Sequence, residues 1–231
     1  MIYKHAYHCG RGGPKSILQK ESGAGVVEEL LIVSASGLAR EVLAMVRSSG
    51  QYDVIGILDD DFELLGVSVD GATVLGGIGS VLRYADAKVI VCIESEFERE
   101  AAVGRLAQLG LPEGRYATAM DPDIPRDMAL VGQGSILLHN VTVAPAASLG
   151  RHVVAMPNVH LGCDVHIADF ATLCAGASLG GGASLGRGVH VGMNSCVREG
   201  ITVGRYARIG MGAAVESSMP EFATWVGSPA H

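Results

Sequence analysis

Residues 161–180 read LGCDVHIADFATLCAGASLG, and an aliphatic side chain returns in this stretch at every sixth position. The same interval continues in both directions along the chain. Its members are Val131, Leu137, Val143, Leu149, Ala155, Leu161, Ile167, Leu173, Leu179, Leu185, Val191, Val197, Val203, Ile209 and Val215. A period of six matches neither an α-helix nor the two-residue alternation of an ordinary strand. Repetition over this length predicts a solenoid built from short structural repeats.

A second inward position accompanies each aliphatic residue, four places further along the chain. It is always small or β-branched: Ser135, Val141, Ala147, Val153, Val159, Val165, Ala171, Ala177, Ala183, Val189, Ser195, Ile201, Ala207 and Ala213. One large and one small residue per hexad are typical of a β-solenoid with a triangular cross-section. Glycine often follows the aliphatic residue directly, as at Gly162, Gly180 and Gly192, and we expect the chain to turn there with a positive φ angle.

The chain before the hexads follows a different pattern, in which short apolar runs alternate with helical stretches. Residues 30–33 are apolar and stop at Ser34-Ala-Ser-Gly37, after which apolar residues recur at helical spacing. Further runs at 53–58 and 88–93 are predicted strands, and a helix is predicted near 96–109. This alternation predicts a small parallel sheet of the Rossmann type. We therefore divide the chain into a loosely ordered lead-in at 1–28, a Rossmann-like domain at 29–125 and a β-helix at 126–231.

Rossmann-like sheets bind ligands at the carboxyl ends of their strands. Ser36 and Gly37 open the first predicted helix and offer backbone N–H groups to a phosphate. Asp59 and Asp60 end the second strand, where a carboxylate can accept hydrogen bonds from a ribose or a base. These four residues are the candidate substrate-binding set. The alternative is a tight turn followed by a solvated acidic loop.

Composition narrows the class of protein. The formal charge is -7 and no block of Lys or Arg occurs, which argues against nucleic acid or an anionic membrane as the partner. The five cysteines are odd in number and form no CxxC pair, so they are interpreted as reduced thiols. No run of 18 apolar residues and no signal-peptide pattern is present, and we expect a cytoplasmic protein.

The hexads resemble the left-handed parallel β-helix of the hexapeptide-repeat acyltransferases. The two-part layout resembles one branch of them, the sugar O-acyltransferases of the sialic-acid O-acetyltransferase type and their bacillosamine and perosamine N-acetyltransferase relatives. The resemblance covers roughly residues 30 to 231. It rests on Ser34-Ala-Ser-Gly37, Ile57-Leu-Asp-Asp-Asp61, Val74-Leu-Gly-Gly77, Ile167-Ala-Asp-Phe170, Val191-Gly-Met-Asn-Ser-Cys196 and Val226-Gly-Ser-Pro-Ala230.

The resemblance implies an enzyme that uses acetyl-CoA as co-substrate. Its acceptor would be an amine or hydroxyl of a sugar, a nucleotide sugar or a secondary-metabolite intermediate. It also implies a homotrimer with the active site between neighbouring β-helices. CoA would run along main chain at positions that match Gly181, Gly192, Met193 and Gly210, with the segment around Pro229 near the adenine end.

The resemblance also assigns the catalytic residues, with one substitution. Relatives carry a histidine base in a motif similar to His-Asp-Cys-His-Ile-Gly-Asp-Phe, and here Asp164 and His166 match while Cys163 stands at the position of the base. A thiol is mostly neutral at pH 7 and a poor base, but its thiolate is a strong nucleophile. Cys163 therefore either takes the acyl group covalently or marks a protein that has lost acetyl transfer. Relatives often carry Gly-His-Gly in the first turn, where this chain has Leu38 after Gly37.

Three functions follow, from different classes. The first is an acyltransferase whose catalytic residues are Cys163, Asp164 and His166. The second is a trimeric binding protein of the same fold that has lost the chemistry. The third is a zinc-dependent hydrolase or hydratase, for which His160, which we expect on the same face as His166, would be a ligand beside Cys163. The three-residue spacing of that set is poor for a zinc site, so no metal is predicted.

Overall fold

The computed structural model describes residues 27–127 and 129–231, so the proposed lead-in lies outside the described residues except for its last two. The N-terminal domain contains a parallel sheet with helices on its faces. Its strands are β1 (Glu29–Val33), β2 (Asp53–Leu58), β3 (Ser68–Val69), β4 (Ala72–Gly76) and β5 (Lys88–Val91), and its α-helices are α1 (Gly37–Ser49) and α2 (Glu96–Gln108). Short 3-10 helices cover Phe62–Leu64, Ile78–Arg83 and Glu113–Arg115. The strands and helices predicted from the sequence are confirmed.

The sheet has the order β3-β4-β2-β1-β5, with every pair parallel except β3 with β4. Strand β1, which lies between β2 and β5, is buried along Leu30–Val33 because helices or the second domain cover both faces of the sheet. Helix α1 begins where the hydroxyl of Ser36 accepts a hydrogen bond from the Ala39 N–H. It ends at Gly50, which adopts the left-handed conformation.

The second domain is a parallel β-helix with three faces, which we name the front, second and third sheets. The front sheet contains β6 (Ala119–Met120), β8 (Ile136–Leu137), β11 (Val154–Ala155), β14 (Thr172–Leu173), β17 (His190–Val191), β20 (Arg208–Ile209) and β22 (Thr224–Trp225). The second contains β9 (Thr142–Val143), β12 (His160–Leu161), β15 (Ser178–Leu179), β18 (Cys196–Val197) and β21 (Ala214–Val215). The third contains β7 (Ala129–Val131), β10 (Ala147–Leu149), β13 (His166–Ile167), β16 (Ser184–Leu185) and β19 (Thr202–Val203).

Each coil takes 18 residues, as the pairing of Ser148 with His166 shows. The chain visits the front, second and third sheets in turn, so each hexad supplies one short strand and one corner. Leu161, Ile167 and Leu173 are fully buried in the core of the β-helix, and so are Val165 and Ala171 at the small inward position. The predicted solenoid is confirmed.

One expectation about the glycines is wrong. Gly162 and Gly192 do not have positive φ angles; the left-handed residues lie two places later, as at Asp164 and Asn194. The next coil explains the glycines instead. A Cβ atom on Gly162 would lie 2.7 Å from the backbone nitrogen of Gly181, and one on Gly192 would lie 2.6 Å from that of Met211. These positions require glycine because two coils approach each other closely.

The two domains share a core and a buried polar anchor. Side chains of α1 and of the front sheet, such as Leu43 and Val154, belong to one hydrophobic cluster. The Arg99 side chain of α2 is fully buried against the front sheet. Its guanidinium donates hydrogen bonds to the carbonyl oxygens of Ile93, Glu94, His152, Phe170 and Ala171 and to the hydroxyl of Thr172. These bonds hold the N-terminus of α2 over the front sheet.

Candidate active site

A cavity of about 450 Å³ lies between the two domains. The ends of β1 and β5 and the N-termini of α1 and α2 line one side, and the front sheet lines the other. Its lining residues are Ser34, Ser36, Ile93, Glu94, Ser95, Glu96, Glu98, Met156, Thr172, Cys174, His190 and Arg208. We call this cavity the interdomain cleft. It lies where parallel α/β sheets bind their ligands, at the carboxyl ends of the strands.

A thiol, an imidazole and a carboxylate form a chain of contacts in this cleft. The Cys174 sulfur lies 3.5 Å from Nε2 of His190, and Nδ1 of His190 lies 3.3 Å from Oε2 of Glu96. The other carboxylate oxygen of Glu96 accepts a hydrogen bond from Arg208. Glu96 and Cys174 are buried, and the His190 ring is partly exposed to the cleft. This is the geometry of a nucleophile, a base and a residue that orients the base.

The charges in this group stabilise one another. The hydrogen bond with Cys174, and then that with Glu96, raise the pKa of His190 to about 9. Burial alone would raise the pKa of Glu96, but the hydrogen bond from His190 and the charge of Arg208 lower it below its ordinary value. The imidazole is therefore protonated at neutral pH.

The sequence does not reveal this group because its members come from both domains. Cys174 and His190 extend outward from neighbouring coils of the front sheet, where Thr172 pairs with His190. Glu96 is the first residue of α2, whose N-cap is Ser95. Residues 16 apart are almost one 18-residue coil apart, so Cys174 and His190 could have been paired from the sequence once the coil length was known. No sequence signal places Glu96 beside them.

A second cavity of about 270 Å³ adjoins the interdomain cleft, and we call it the outer groove. Both are lined by Cys174, His190 and Arg208. The outer groove is also lined by Gly192, Met193 and Gly210, which are three of the five predicted CoA-binding residues. The other two, Gly181 and Pro229, do not line this groove. Gly181 lies beside Cys163 at a different corner, where its Cβ would be 3.3 Å from the Cys163 carbonyl oxygen, and Pro229 lies in the last turn.

The predicted substrate-binding residues of the N-terminal domain gather at the ends of β1 and β2. Ser36 lines the interdomain cleft, and its hydroxyl donates to the carbonyl oxygen of Cys92 at 2.6 Å; Gly37 follows it as the first residue of α1. Asp59 and Asp60 line a neighbouring cavity of about 310 Å³. Leu38, which stands where relatives often have histidine, is buried in the core.

Both aspartates also hold the surrounding loops. Asp59 accepts hydrogen bonds from the backbone N–H groups of Ala35 and Asp61, at 2.7 and 2.9 Å. Asp60 accepts from the Ile78 N–H at 3.0 Å and pairs with Arg105 at 2.7 Å. A ligand in this cavity would meet carboxylates whose positions are already fixed.

Cys163, Asp164 and His166 lie at the corner between the second and third sheets. Cys163 and Asp164 are exposed, and the left-handed φ angle of Asp164 makes the turn. His166 is exposed too, and its Nδ1 lies 2.8 Å from the Ser148 hydroxyl. The three residues line neither the interdomain cleft nor the outer groove. Within one chain, the structure does not bring them to the cleft.

The expected shared face of His160 and His166 is wrong, because residues six apart lie on successive sheets. His160 lies on the second sheet and His166 on the third. Among residues 27–127 and 129–231, no group of three or more His, Cys, Asp or Glu side chains is placed to hold a metal ion. In the same ranges, no helix is long and apolar enough to span a membrane.

Comparison with known proteins relates both domains to acetyltransferases. Residues 29–106 match the model of the PglD N-terminal domain. No curated protein matches the chain in sequence. A mutant of perosamine N-acetyltransferase from Caulobacter crescentus, solved with CoA and GDP-perosamine, has 22% sequence identity and a TM-score of 0.81. That match covers 89% of this chain and 96% of the other.

Two further solved structures match over a similar length. The acetyltransferase domain of PglB from Neisseria gonorrhoeae, in complex with acetyl coenzyme A, is 25% identical with a TM-score of 0.80, covering 89% of this chain and 98% of that one. WeeI from Acinetobacter baumannii is 23% identical with a TM-score of 0.75, covering 89% and 99%. Residues 29–106 are therefore similar to the PglD N-terminal domain. The chain as a whole, with a Rossmann-like domain before a left-handed parallel β-helix, has the fold of these acetyltransferases.

Proposed function

We propose that this protein transfers an acetyl group from acetyl-CoA to an amine of a small acceptor, in the first place an amino sugar. The observation that carries the proposal is the meeting of two cavities at one reactive group. The outer groove and the interdomain cleft are both lined by Cys174 and His190. A donor in the groove and an acceptor in the cleft would therefore meet where a thiol and an imidazole are already in contact.

The outer groove suits the pantetheine arm of acetyl-CoA. Gly192 and Gly210 present bare backbone there, and the exposed Met193 and Met211 offer apolar contact. The similar structures of PglB and perosamine N-acetyltransferase contain acetyl-CoA and CoA respectively. The proposed CoA site still includes Gly181 and Pro229. The proposal also includes the homotrimer that the resemblance implies. In a homotrimer, the corner that carries Gly181 and Cys163 could reach the outer groove of a neighbouring copy.

The charge of the cleft favours an amine over a hydroxyl as the acceptor. Glu96 is paired there with Arg208 and protonated His190, which leaves Glu94 and Glu98 as the unpaired charges among the described lining residues. Such a lining attracts an ammonium group, which loses a proton before it attacks. Ser36 and Gly37 at the N-terminus of α1 would bind a phosphate of a nucleotide sugar, and Asp59 and Asp60 its ribose or base.

The proposal is tested by incubating the full chain with acetyl-CoA and a panel of acceptors and identifying the products by mass spectrometry. The panel holds GDP- and UDP-linked amino sugars, the free amino sugars and matched sugars with a hydroxyl in place of the amine. We expect acetylation of the amines and none of the hydroxyl analogues. If the hydroxyl sugars are the ones acetylated, the amine assignment is wrong; if no acceptor is acetylated, the acetyltransferase proposal is wrong.

A charge-reversal variant tests the groove separately. Met193→Glu places a carboxylate among the proposed CoA contacts, and we expect the KM for acetyl-CoA to rise about tenfold, since CoA is anionic. Leu130→Glu is the matched control, because Leu130 is even more exposed and lines neither cavity. Equal effects of the two variants would remove the groove from the proposal.

The second candidate function is a binding protein of the same fold. It is favoured by Cys163 at the position of the family's base and by Leu38 at that of a ligand-contacting histidine. Calorimetric titration with CoA and with the same sugars distinguishes the two functions. Sugar binding together with no acetylation of any acceptor would support the binding protein.

A further inference from the structure

We propose that Cys174 is the nucleophile of a two-step transfer and carries the acetyl group as a thioester between donor and acceptor. The inference rests on the proposed function and deepens it by naming the residue that becomes acetylated. It replaces direct transfer with a ping-pong sequence. It also assigns the nucleophile to Cys174, at the junction of the outer groove and the interdomain cleft, and not to Cys163 at the exposed corner.

Cys174 differs from the other thiols of residues 27–127 and 129–231. Cys163 and Cys196 are exposed, and Cys92 is buried in the N-terminal core, where burial raises the pKa of its thiol. Among these four, Cys174 alone has an imidazole nitrogen within hydrogen-bond distance. It also lines both cavities, so a donor and an acceptor can each reach its sulfur.

The first step would form one bond and break another at the acetyl carbon. The Cys174 thiolate attacks the thioester carbonyl of acetyl-CoA, and the tetrahedral intermediate collapses by breaking the bond to the CoA sulfur. Protonated His190 gives its Nε2 proton to the departing CoA thiolate. The N-termini of α1 and α2 both open onto the cleft, and helix N-termini stabilise the negative charge that develops on the carbonyl oxygen.

The second step restores the resting state. The neutral amine of the acceptor attacks the acetyl-cysteine carbonyl while neutral His190 takes a proton from the amine nitrogen. Breakage of the bond to Cys174 releases the amide and leaves a thiolate beside a protonated imidazole. No oxidant, reductant or metal ion enters this balance, and water is neither consumed nor released.

Glu96 is a positioning residue in this scheme. Its carboxylate accepts from Nδ1 of His190, which directs Nε2 toward the sulfur of Cys174. Arg208 holds the other oxygen of the same carboxylate. Because Glu96 begins α2 and Arg99 anchors that helix to the front sheet, the docking of the two domains fixes the angle of the imidazole.

The test uses the full chain with acetyl-CoA and isotopically labelled CoA, and no acceptor. A ping-pong enzyme exchanges the label into acetyl-CoA, because the first step is reversible. We expect this exchange, together with the mass of one acetyl group on the peptide that contains Cys174. Cys174→Ala and Cys174→Ser should lose exchange and overall turnover by about 1,000-fold or more while still binding CoA. Cys196→Ala, which removes an exposed thiol outside both cavities, should exchange as the unsubstituted chain does.

Three outcomes would overturn the inference. An acetyl group on Cys163, lost in Cys163→Ala and kept in Cys174→Ala, would assign the nucleophile to the other thiol. Acetylation of acceptor with normal turnover in folded Cys174→Ala, checked by circular dichroism, would show direct transfer and leave the proposed function standing. Absence of CoA binding by the unsubstituted chain would overturn the proposed function and this inference together.

Discussion

At the scale of single residues, the arrangement around His190 depends on one carboxylate. Glu96 is nearly fully buried and contacts two cationic side chains, His190 and Arg208. A buried carboxylate of this kind needs such partners, because leaving it unpaired in the protein interior would be costly. The same contacts keep a proton on the imidazole. The protonation of His190 in the β-helix is therefore coupled to a residue of the other domain.

Glu96→Gln should change the pH dependence of labelled-CoA exchange. In the proposed scheme, exchange needs protonated His190, so it is lost when the pH rises above the pKa of this ring. Removing the negative charge of Glu96 lowers that pKa from about 9 toward its ordinary value of 6.5. The loss of exchange should therefore begin at a lower pH. The rate should also fall by roughly 10²- to 10⁴-fold, as when an orienting carboxylate is neutralised in a catalytic triad. A pH–rate profile from pH 5 to 10 measures both effects.

The control for Glu96→Gln is Glu221→Gln. Glu221 is exposed and pairs with Arg205, away from the cleft lining. Its profile should overlay that of the unsubstituted chain. A profile for Glu96→Gln that keeps its alkaline limit near pH 9 would mean that the carboxylate does not act on the imidazole.

The sequence predicted only part of the site, and the reason is distance along the chain. The family resemblance implied Gly192, Met193 and Gly210 as CoA contacts, and these three residues line one groove. Glu96 and His190 are 94 residues apart and meet only because α2 docks on the front sheet. A charged first residue of a helix is an ordinary feature, so no motif distinguishes Glu96 before the docking is known.

At the scale of elements, the spacing of successive coils decides which side chains are allowed. Gly186 follows β16, and its added Cβ would lie 2.6 Å from the backbone nitrogen of Arg205 in the next coil. Backbone atoms cannot rotate away as a flexible side chain can. Substitution there must separate two hydrogen-bonded coils or bend one of them.

Gly186→Ala should therefore lower the free energy of unfolding by about 1–3 kcal/mol. Gly104→Ala is the matched control, since Gly104 lies inside α2 and its Cβ would meet nothing within 4 Å. That change should stabilise the protein by up to about 1 kcal/mol, because alanine favours the helix. Urea unfolding followed by circular dichroism measures both values. Equal effects would show that coil contact does not explain the glycines.

The hexad made the elements of the β-helix predictable because its period is local and repeated. The position of each aliphatic residue within its hexad indicates that its side chain points into the core, and no long-range contact has to be known. The role of the glycines was misjudged for the opposite reason. Their requirement comes from the neighbouring coil, so the backbone angle at Gly192 alone could not reveal it.

At the scale of the whole molecule, the contact between the domains contains a histidine that is held neutral. His152 stacks on Phe170 at 5.1 Å and meets the edge of Tyr116 at 4.6 Å. Burial first, and then the positive charges of Arg99 and Arg151, lower the pKa of His152 to about 4. Its carbonyl oxygen accepts a hydrogen bond from Arg99. Protonation of the ring would place a charge in the contact between the domains.

This predicts a loss of stability on the acid side. Below pH 6.5 the unfolded chain protonates His152 while the folded chain does not, so the free energy of unfolding falls as pH drops toward 4. The contribution of His152 is at most about 3 kcal/mol. His152→Phe keeps the aromatic stacking and should flatten the curve over this range, and Phe170 shows that the fold accepts phenylalanine at a left-handed position.

Thermal unfolding between pH 4 and 8 measures this effect. His160→Phe is the control, because His160 is exposed on the second sheet and its replacement should leave the acid slope unchanged. An unchanged slope in His152→Phe would mean that other groups cause the acid loss.

The 18-residue coil also restricts which insertions and deletions the coding sequence of the β-helix can tolerate. Insertion or deletion of 18 codons, or of a multiple of 18, returns every later residue to its former sheet, whereas any other length moves later residues to another sheet or out of the hexad register. A coil added after β21 would leave the cleft intact. A coil added between Cys174 and His190 would move the ring one further strand spacing, about 4.8 Å, from the sulfur. Length variation among descendants of this chain should therefore be found beyond Arg208 and be absent between Cys174 and Arg208.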